Sequence, residues 1–326
     1  MEKLFVRIKR FYILTCNTFK NDMSFSLKLA IFRFLDTIGW RLGFKRISNW
    51  AHLKEETFIL TYLKKELNDV ILKYKDNKEI GNCGKNAPIW VCWWSGEYDA
   101  PLLVKQCIAS IRKNAGNHPV HLIDQNNYSK YLQIPDFILK KIETGSICIA
   151  NFTDYLRVSL VAKYGGLWLD STIFCSEVIP EEYFNMPFFT CKSNPKESRY
   201  ISKYRWTSFC LGGWKKNVFF EFFRDAWEQY WKSEDSSIDY LLVDYLIEIA
   251  ITELDAVEKC FNQIPCNNPH RDDLQKAMND SLPFYEFNKI INKDTCFYKL
   301  SWRESYSETA FNGDQSIYGE FIKKSN

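Results

Sequence analysis

A chain of 326 residues, 46% hydrophobic and 17% aromatic, can bury a sizeable core, which excludes global disorder and leaves room for one large domain with or without an accessory part. The net charge is only +3 but unevenly spread: residues 1–50 carry ten Lys/Arg against Glu2, Asp22 and Asp36, a net of +7, leaving −4 for the remainder. A basic amino-terminal end on a neutral-to-acidic body excludes a uniformly basic nucleic-acid binder.

The first segment, MEKLFVRIKRFYILTCNTFK, is broken by charge too often to span a bilayer, and it lacks the small-residue cleavage site of a secretory signal. In SFSLKLAIFRFLDTIGWRLGFKR, residues 24–46, helical spacing puts Phe25, Leu29, Phe32 and Leu35 on one face with Ile31 and Ile38 beside it. Lys28, Arg33, Arg41 and Lys45 mark its flanks and end. Two readings stand: a helix packed on the body with a solvated basic edge, or one lying on an anionic membrane surface. Phe11 and Tyr12 suit either. Residues 51–77 form one more amphipathic helix with i,i+4 charge pairing, and DNKEIGNCGKNAP then reads as a linker. The division expected is a helical arm over 1–86 and a main domain over 87–326.

Beyond Pro88, strands alternate with helices: IWVCWW at 89–94, a helix over 100–116, VHLID at 120–124, a helix over 151–164 and LWLDS at 167–171. This predicts an α/β fold, a Rossmann-type, mostly parallel sheet with flanking helices. Ligands of such sheets bind beyond the carboxyl ends of the strands, where Trp94, Asp124 and Asp170 stand. A buried unpaired carboxylate costs several kcal/mol, so Asp170 must face a cation, donors or water. Capping a turn or ligating a hard divalent ion would each satisfy it. The eleven cysteines form no C-x-x-C pair, and Cys83, Cys92, Cys107, Cys148 and Cys175 mostly sit in apolar runs, as free thiols of a reduced cytosolic protein would. His118 and His121 read as a loop and a strand residue rather than a metal pair.

The segment TDYLRVSLVAKYGGLWLDST resembles the core of the bacterial capsular polysaccharide synthesis glycosyltransferases, relatives of the GT-A, DXD-type sugar-nucleotide transferases. IWVCWWSGEYDAPLLVKQCIASIRKN resembles that family's first strand and helix, IDYLLVDYL its later acidic helix, and KLSW its carboxyl-terminal Lys-Leu element. The similarity runs from about 87 to 305. It implies a GT-A-like domain in which Asp154 and Arg157 hold the donor's hydroxyls and phosphate. Asp170 would be the first acid of a D-x-D metal motif, with Thr172 where the second would stand, for Mn2+ or Mg2+. Gly165 and Gly166 would let backbone approach the nucleotide; Trp93 and Trp94 would lie near base and ribose; Lys299 would reach the diphosphate. Asp239 and Asp244 would lie close to the reacting sugar or acceptor. Ser95 departs from the expected glutamine, while Thr153 in place of serine is benign because either can cap the helix.

The residues themselves also allow plainer roles. Asp154 and Arg157 at i,i+3 can be a surface pair worth ~0.5 kcal/mol, Trp93 and Trp94 can be core, Lys299 a solvated lysine, and Asp239 the cap of its helix. The resemblance implies hexose transfer from a nucleotide-diphosphate sugar, a UDP-sugar, to a polyprenyl-diphosphate-linked oligosaccharide, with retention, by a cytoplasmic protein peripheral to the inner face of the cell membrane. A metal-dependent phosphohydrolase or nucleotidyltransferase would need a second carboxylate cluster. A non-catalytic scaffold of polysaccharide synthesis is the other alternative.

Overall fold

A computed structural model describes residues 18–84, 86–194, 196, 198–281 and 291–323; Phe11 and Tyr12, with the rest of 1–17, lie outside the described residues. Three helices open it: α1 (Leu27–Arg41), α2 (Lys45–Glu66) and α3 (Asn68–Tyr74). The α/β body follows as β1 (Ile89–Cys92), α4 (Leu102–Asn114), β2 (Val120–Ile123), α5 (Asp136–Glu143), α6 (Ile149–Tyr164) and β3 (Gly166–Leu169). Then come β4 (Ile173–Cys175), β5 (Phe188–Thr190), β6 (Cys210–Gly213), α7 (Val218–Ser233), α8 (Leu242–Glu253) and α9 (Asp255–Asn262). The chain closes with α10 (Asp273–Ala277), β7 (Phe297–Lys299) and α11 (Ile317–Lys323).

The main sheet has the order β2-β1-β3-β6-β5. β2, β1 and β3 are parallel, β6 is antiparallel to both its neighbours, and so four of the five strands run one way. Successive side chains alternate across it. Ile89, Val91, Leu167 and Leu169 pack with Val104, Ile108 and Ile111 of α4; Trp90 and Trp168 pack with α6, α7 and α8 on the other face. A two-stranded sheet, β4 with β7, lies against the α4 side.

The arm is not a separate body. Ile59, Leu63, Leu67, Val70, Ile71 and Tyr74 are buried in the same cluster as Trp168 and Phe222. The stretch expected as a linker is strapped down: Asn217 caps α7 through Oδ1 while its Nδ2 donates to the Ile80 and Pro187 carbonyls at 2.8 Å.

Two expectations are corrected. Thr153 does not cap the helix, which starts four residues earlier at Ile149; its hydroxyl donates to the Ala150 carbonyl inside α6. Gly165 and Gly166 stand at the amino end of β3, opposite its carboxyl end, and turn the chain from α6 into the strand. Gly166 has φ +100°, and a Cβ there would lie 2.0 Å from the Pro88 carbonyl oxygen. The requirement is steric, not an approach to nucleotide. Gly166→Ala should destabilise the fold by about 2 kcal/mol or more in chemical denaturation; an unchanged midpoint would refute the steric account.

Candidate active site

Asp170 sits just past β3, where the parallel strands end. Trp168, two residues back, shares its side of the strand, and its indole Nε1 donates to Asp170 Oδ1 at 3.0 Å. Arg157, buried on α6, donates from Nη2 to the same oxygen at 3.1 Å, and its guanidinium lies 5.3 Å from the Trp168 ring centre. Arg157 Nη1 also pairs with Asp154 Oδ1 at 2.9 Å, out of line for a hydrogen bond, and Nε has no partner among the described residues. The second cation comes from β7, whose register puts Lys299 opposite Ile173. Lys299 Nζ donates to Asp170 Oδ2 and Thr172 Oγ1, each at 2.8 Å.

These groups line a cleft of about 630 Å³ walled by Trp93, Trp94, Ser95, the start of α6, Tyr240, Leu241, Trp302 and Arg303. Trp94 packs edge-on against Phe152, and Trp93 against Trp302. The Trp93 Nε1 is a buried donor with no partner among the described residues. Trp302 and Tyr240 are 44% and 67% exposed, and the Arg303 guanidinium lies 5.5 Å from the Trp302 ring centre.

Burial raises the Asp170 carboxyl, but the charges of Lys299 and Arg157 with the bonds from Lys299 and Trp168 outweigh it, so the group is held below the usual carboxylate range. For Asp154 burial prevails over the Arg157 charge, with Asp170 and Asp244 adding to it, and the carboxyl is pushed up to about 7. Burial likewise pushes Asp244 up to about 6 against the Trp206 bond and the Arg157 charge.

Of the residues expected in a site, Trp93, Trp94, Asp154, Arg157, Asp170, Thr172 and Lys299 converge on this cleft. Asp239 and Asp244 are not among its lining. Asp239 Oδ2 pairs with Arg33 at 2.8 Å while Oδ1 accepts from the Leu241 N–H, so it anchors a turn to the arm. Asp244 accepts from Trp206 Nε1 at 2.9 Å in the core. Asp124 caps its own turn through the Asn126 and Asn127 N–H groups. His118 hydrogen-bonds the Ala87 carbonyl and pairs with Glu181, so it forms no metal pair with His121. Sequence reasoning missed Trp302, Arg303 and Ser208; the tryptophan in KLSW was the available signal.

A resident divalent cation does not fit this donor set. Asp170 Oδ1 is taken by Arg157 and Trp168, and Lys299 bridges Asp170 Oδ2 and Thr172 Oγ1 where an ion joining those two would sit. Two carboxylates already face two side-chain cations, leaving no surplus negative charge. Among the described residues, a group close enough to share an ion is Asp36, His52 and Glu55 in the arm, where Arg199 pairs with Asp36 and Arg33 with Glu55.

The chain belongs to the capsular polysaccharide synthesis protein family, whose model matches residues 40–321. The match reaches into the arm, well before the 87–305 stretch read from motifs. Comparison with curated proteins finds no match. Among solved structures the chain is similar to PaToxG glycosyltransferase, with 14% identity, a TM-score of 0.32, and coverage of 72% of this chain and 92% of that one.

Because folded Asp154 holds its proton more tightly than the unfolded chain does, its contribution to stability is complete below the ordinary carboxylate range and is lost as pH rises through about 7. Denaturation curves from about pH 4 to about 7 should show the parent losing stability relative to Asp154→Asn as pH rises. Parallel pH profiles would contradict a proton held there.

Proposed function

We propose that the protein is a glycosyltransferase that moves a hexose from a UDP-sugar to a polyprenyl-diphosphate-linked oligosaccharide, at the inner face of the cell membrane. The observation that carries this reading is the Asp154–Arg157–Asp170–Lys299 array at the mouth of the parallel strands, opening on a cleft roomy enough for a sugar nucleotide. Family membership adds the polymer context.

The hard step is departure of the diphosphate, with negative charge growing on its oxygens. Arg157 and Lys299 are held in place before the reaction by the two carboxylates, so little reorganisation is needed when that charge appears. The diphosphate competes with Asp170 for both cations. Asp154, protonated for part of the time near neutral pH, can donate to or accept from a sugar hydroxyl. Trp93 Nε1 offers its free N–H to the base or ribose. Tyr240 and the exposed part of Trp302 offer apolar surface to the acceptor sugar at the mouth. The departing phosphate can take the acceptor hydroxyl's proton on the face it leaves, so retention requires no separate base opposite.

In this reading Lys299 stands where the D-x-D metal of relatives would stand, and the threonine at 172 replaces an acid because an ammonium ion needs fewer negative partners than a divalent ion. No step is assigned to manganese or magnesium.

Nucleoside diphosphate release from a panel of UDP-sugars and a lipid-linked acceptor tests both parts. Turnover should persist in chelator, and Asp170→Asn, Arg157→Ala and Lys299→Met should each lose on the order of 100-fold or more in kcat. Turnover abolished by chelation and restored by manganese would transfer the role of Lys299 to a metal. A complete lack of turnover with every donor would sink the enzyme reading in favour of a scaffold.

A further inference from the structure

The turn joining α1 to α2 has a composition unlike the rest of the surface. Residues 37–54, TIGWRLGFKRISNWAHLK, contain four Lys/Arg and no Asp or Glu. Trp40, Leu42, Phe44, Ile47, Trp50 and Leu53 are each 48–64% exposed. Three of them, Ile47, Trp50 and Leu53, follow one another at three-residue steps down α2, where such residues are neighbours, and Phe44 stands at the cap position just before the helix. Arg41, Lys45, Arg46 and Lys54 are exposed among them. The helices bury their other sides: Leu29 and Ala30 of α1, and Ser48, Ala51 and Ile59 of α2, are essentially inaccessible. A soluble surface rarely gathers this much apolar area in one place without something to cover it.

We infer that the α1–α2 tip is a membrane-docking face, seating its apolar side chains in the headgroup–acyl boundary of an anionic leaflet with the cations on the lipid phosphates. Charge selects this occupant: a cationic tip free of acids, with tryptophans among the cations, matches an anionic interface and would repel a second copy of itself. Among the described residues no helix is long and apolar enough to cross a membrane, so the tip lies on the surface rather than through it. The surface differs from the one the sequence suggests. Arg33, expected on the lipid flank, is paired with Asp22, Glu55 and Asp239. The cationic contribution comes from Lys45, Arg46 and Lys54.

The same helix reaches the cleft. Arg33 Nη2 also donates to the Ile238 carbonyl, and Tyr240 and Leu241 of that loop wall the cleft. A tip seated on a bilayer is thereby tied, through α1, to the loop that walls the cleft. This deepens the proposed transferase reading by naming the surface that meets the acceptor's membrane, but vesicle binding is measured without turnover, so each fails separately.

The test is co-sedimentation of the full chain with phosphatidylcholine vesicles, with and without phosphatidylglycerol, alongside light scattering for oligomeric state. The parent should pellet with the anionic vesicles only. Phe44→Glu/Ile47→Glu and Lys45→Glu/Arg46→Glu should each lose at least ~10-fold of that binding, while the circular dichroism and the release of nucleoside diphosphate from a water-soluble acceptor reaction stay at parental levels. Absence of binding to anionic vesicles at low salt would overturn the inference, as would variants that bind like the parent. A parental dimer that dissociates on Phe44→Glu/Ile47→Glu would give the patch to a second copy instead.

Discussion

Neutralising one carboxylate organises this molecule. Asp170 must end a buried strand, and an uncompensated carboxylate there would cost several kcal/mol. Its two cations come from opposite sides of the sheet: Arg157 from α6 and Lys299 from the small β4–β7 sheet. The carboxylate thereby ties helix, central strand and accessory sheet together at one point. It also means that structure and chemistry share the same charges. In the proposed transferase, the two cations that neutralise Asp170 are the same two that meet the donor's diphosphate.

Much of that geometry was legible in the sequence. Eight residues separate Arg157 from Gly165, a helical rise of about 12 Å, and four extended steps return the chain from Gly166 to Asp170, about 13 Å. A helix, a two-glycine reversal and a strand of those lengths bring guanidinium and carboxylate level, so D-Y-L-R and L-W-L-D imply each other. Alternation along LWLD likewise puts Trp168 on the side of Asp170. The α/β order, the strands at Ile89–Cys92 and Val120–Ile123, and the helix at Leu102–Asn114 follow from local apolar periodicity in the same manner.

What could not be read depends on contacts between distant segments. Lys299 reaches Asp170 across 129 positions because β7 pairs with β4 in one register, and nothing local in KLSW specifies that partner. Asp239 and Asp244 were drawn toward the site by an acidic helix motif, but one answers Arg33 and the other Trp206, both far away in sequence. Arg33 itself has the spacing of a lipid-facing flank until three carboxylates converge on it. Burial alone would lower its pKa; Glu55, Asp239 and Asp22 together raise it instead. The glycines failed differently. YGG was correctly a reversal, but it lies at the end of the strand away from the cleft, and Pro88 sets the need for a missing Cβ.

The arm follows from the same electrostatic rule as the site. A guanidinium drawn into the protein has to be matched, and matching Arg33 required an acid from its own arm on either side and one from the loop preceding α8. That loop continues directly into Tyr240 and Leu241 of the cleft wall. Seven residues further along α1, about 10 Å by helical rise, stands Trp40 at the exposed tip. One helix therefore fixes the spacing between the cationic apolar tip and the wall of the cleft, and the ion network fixes which way that helix faces. The family match starts at residue 40, inside the arm, and Arg33 of that arm braces the loop that walls the cleft rather than leaving the arm to trail from the body.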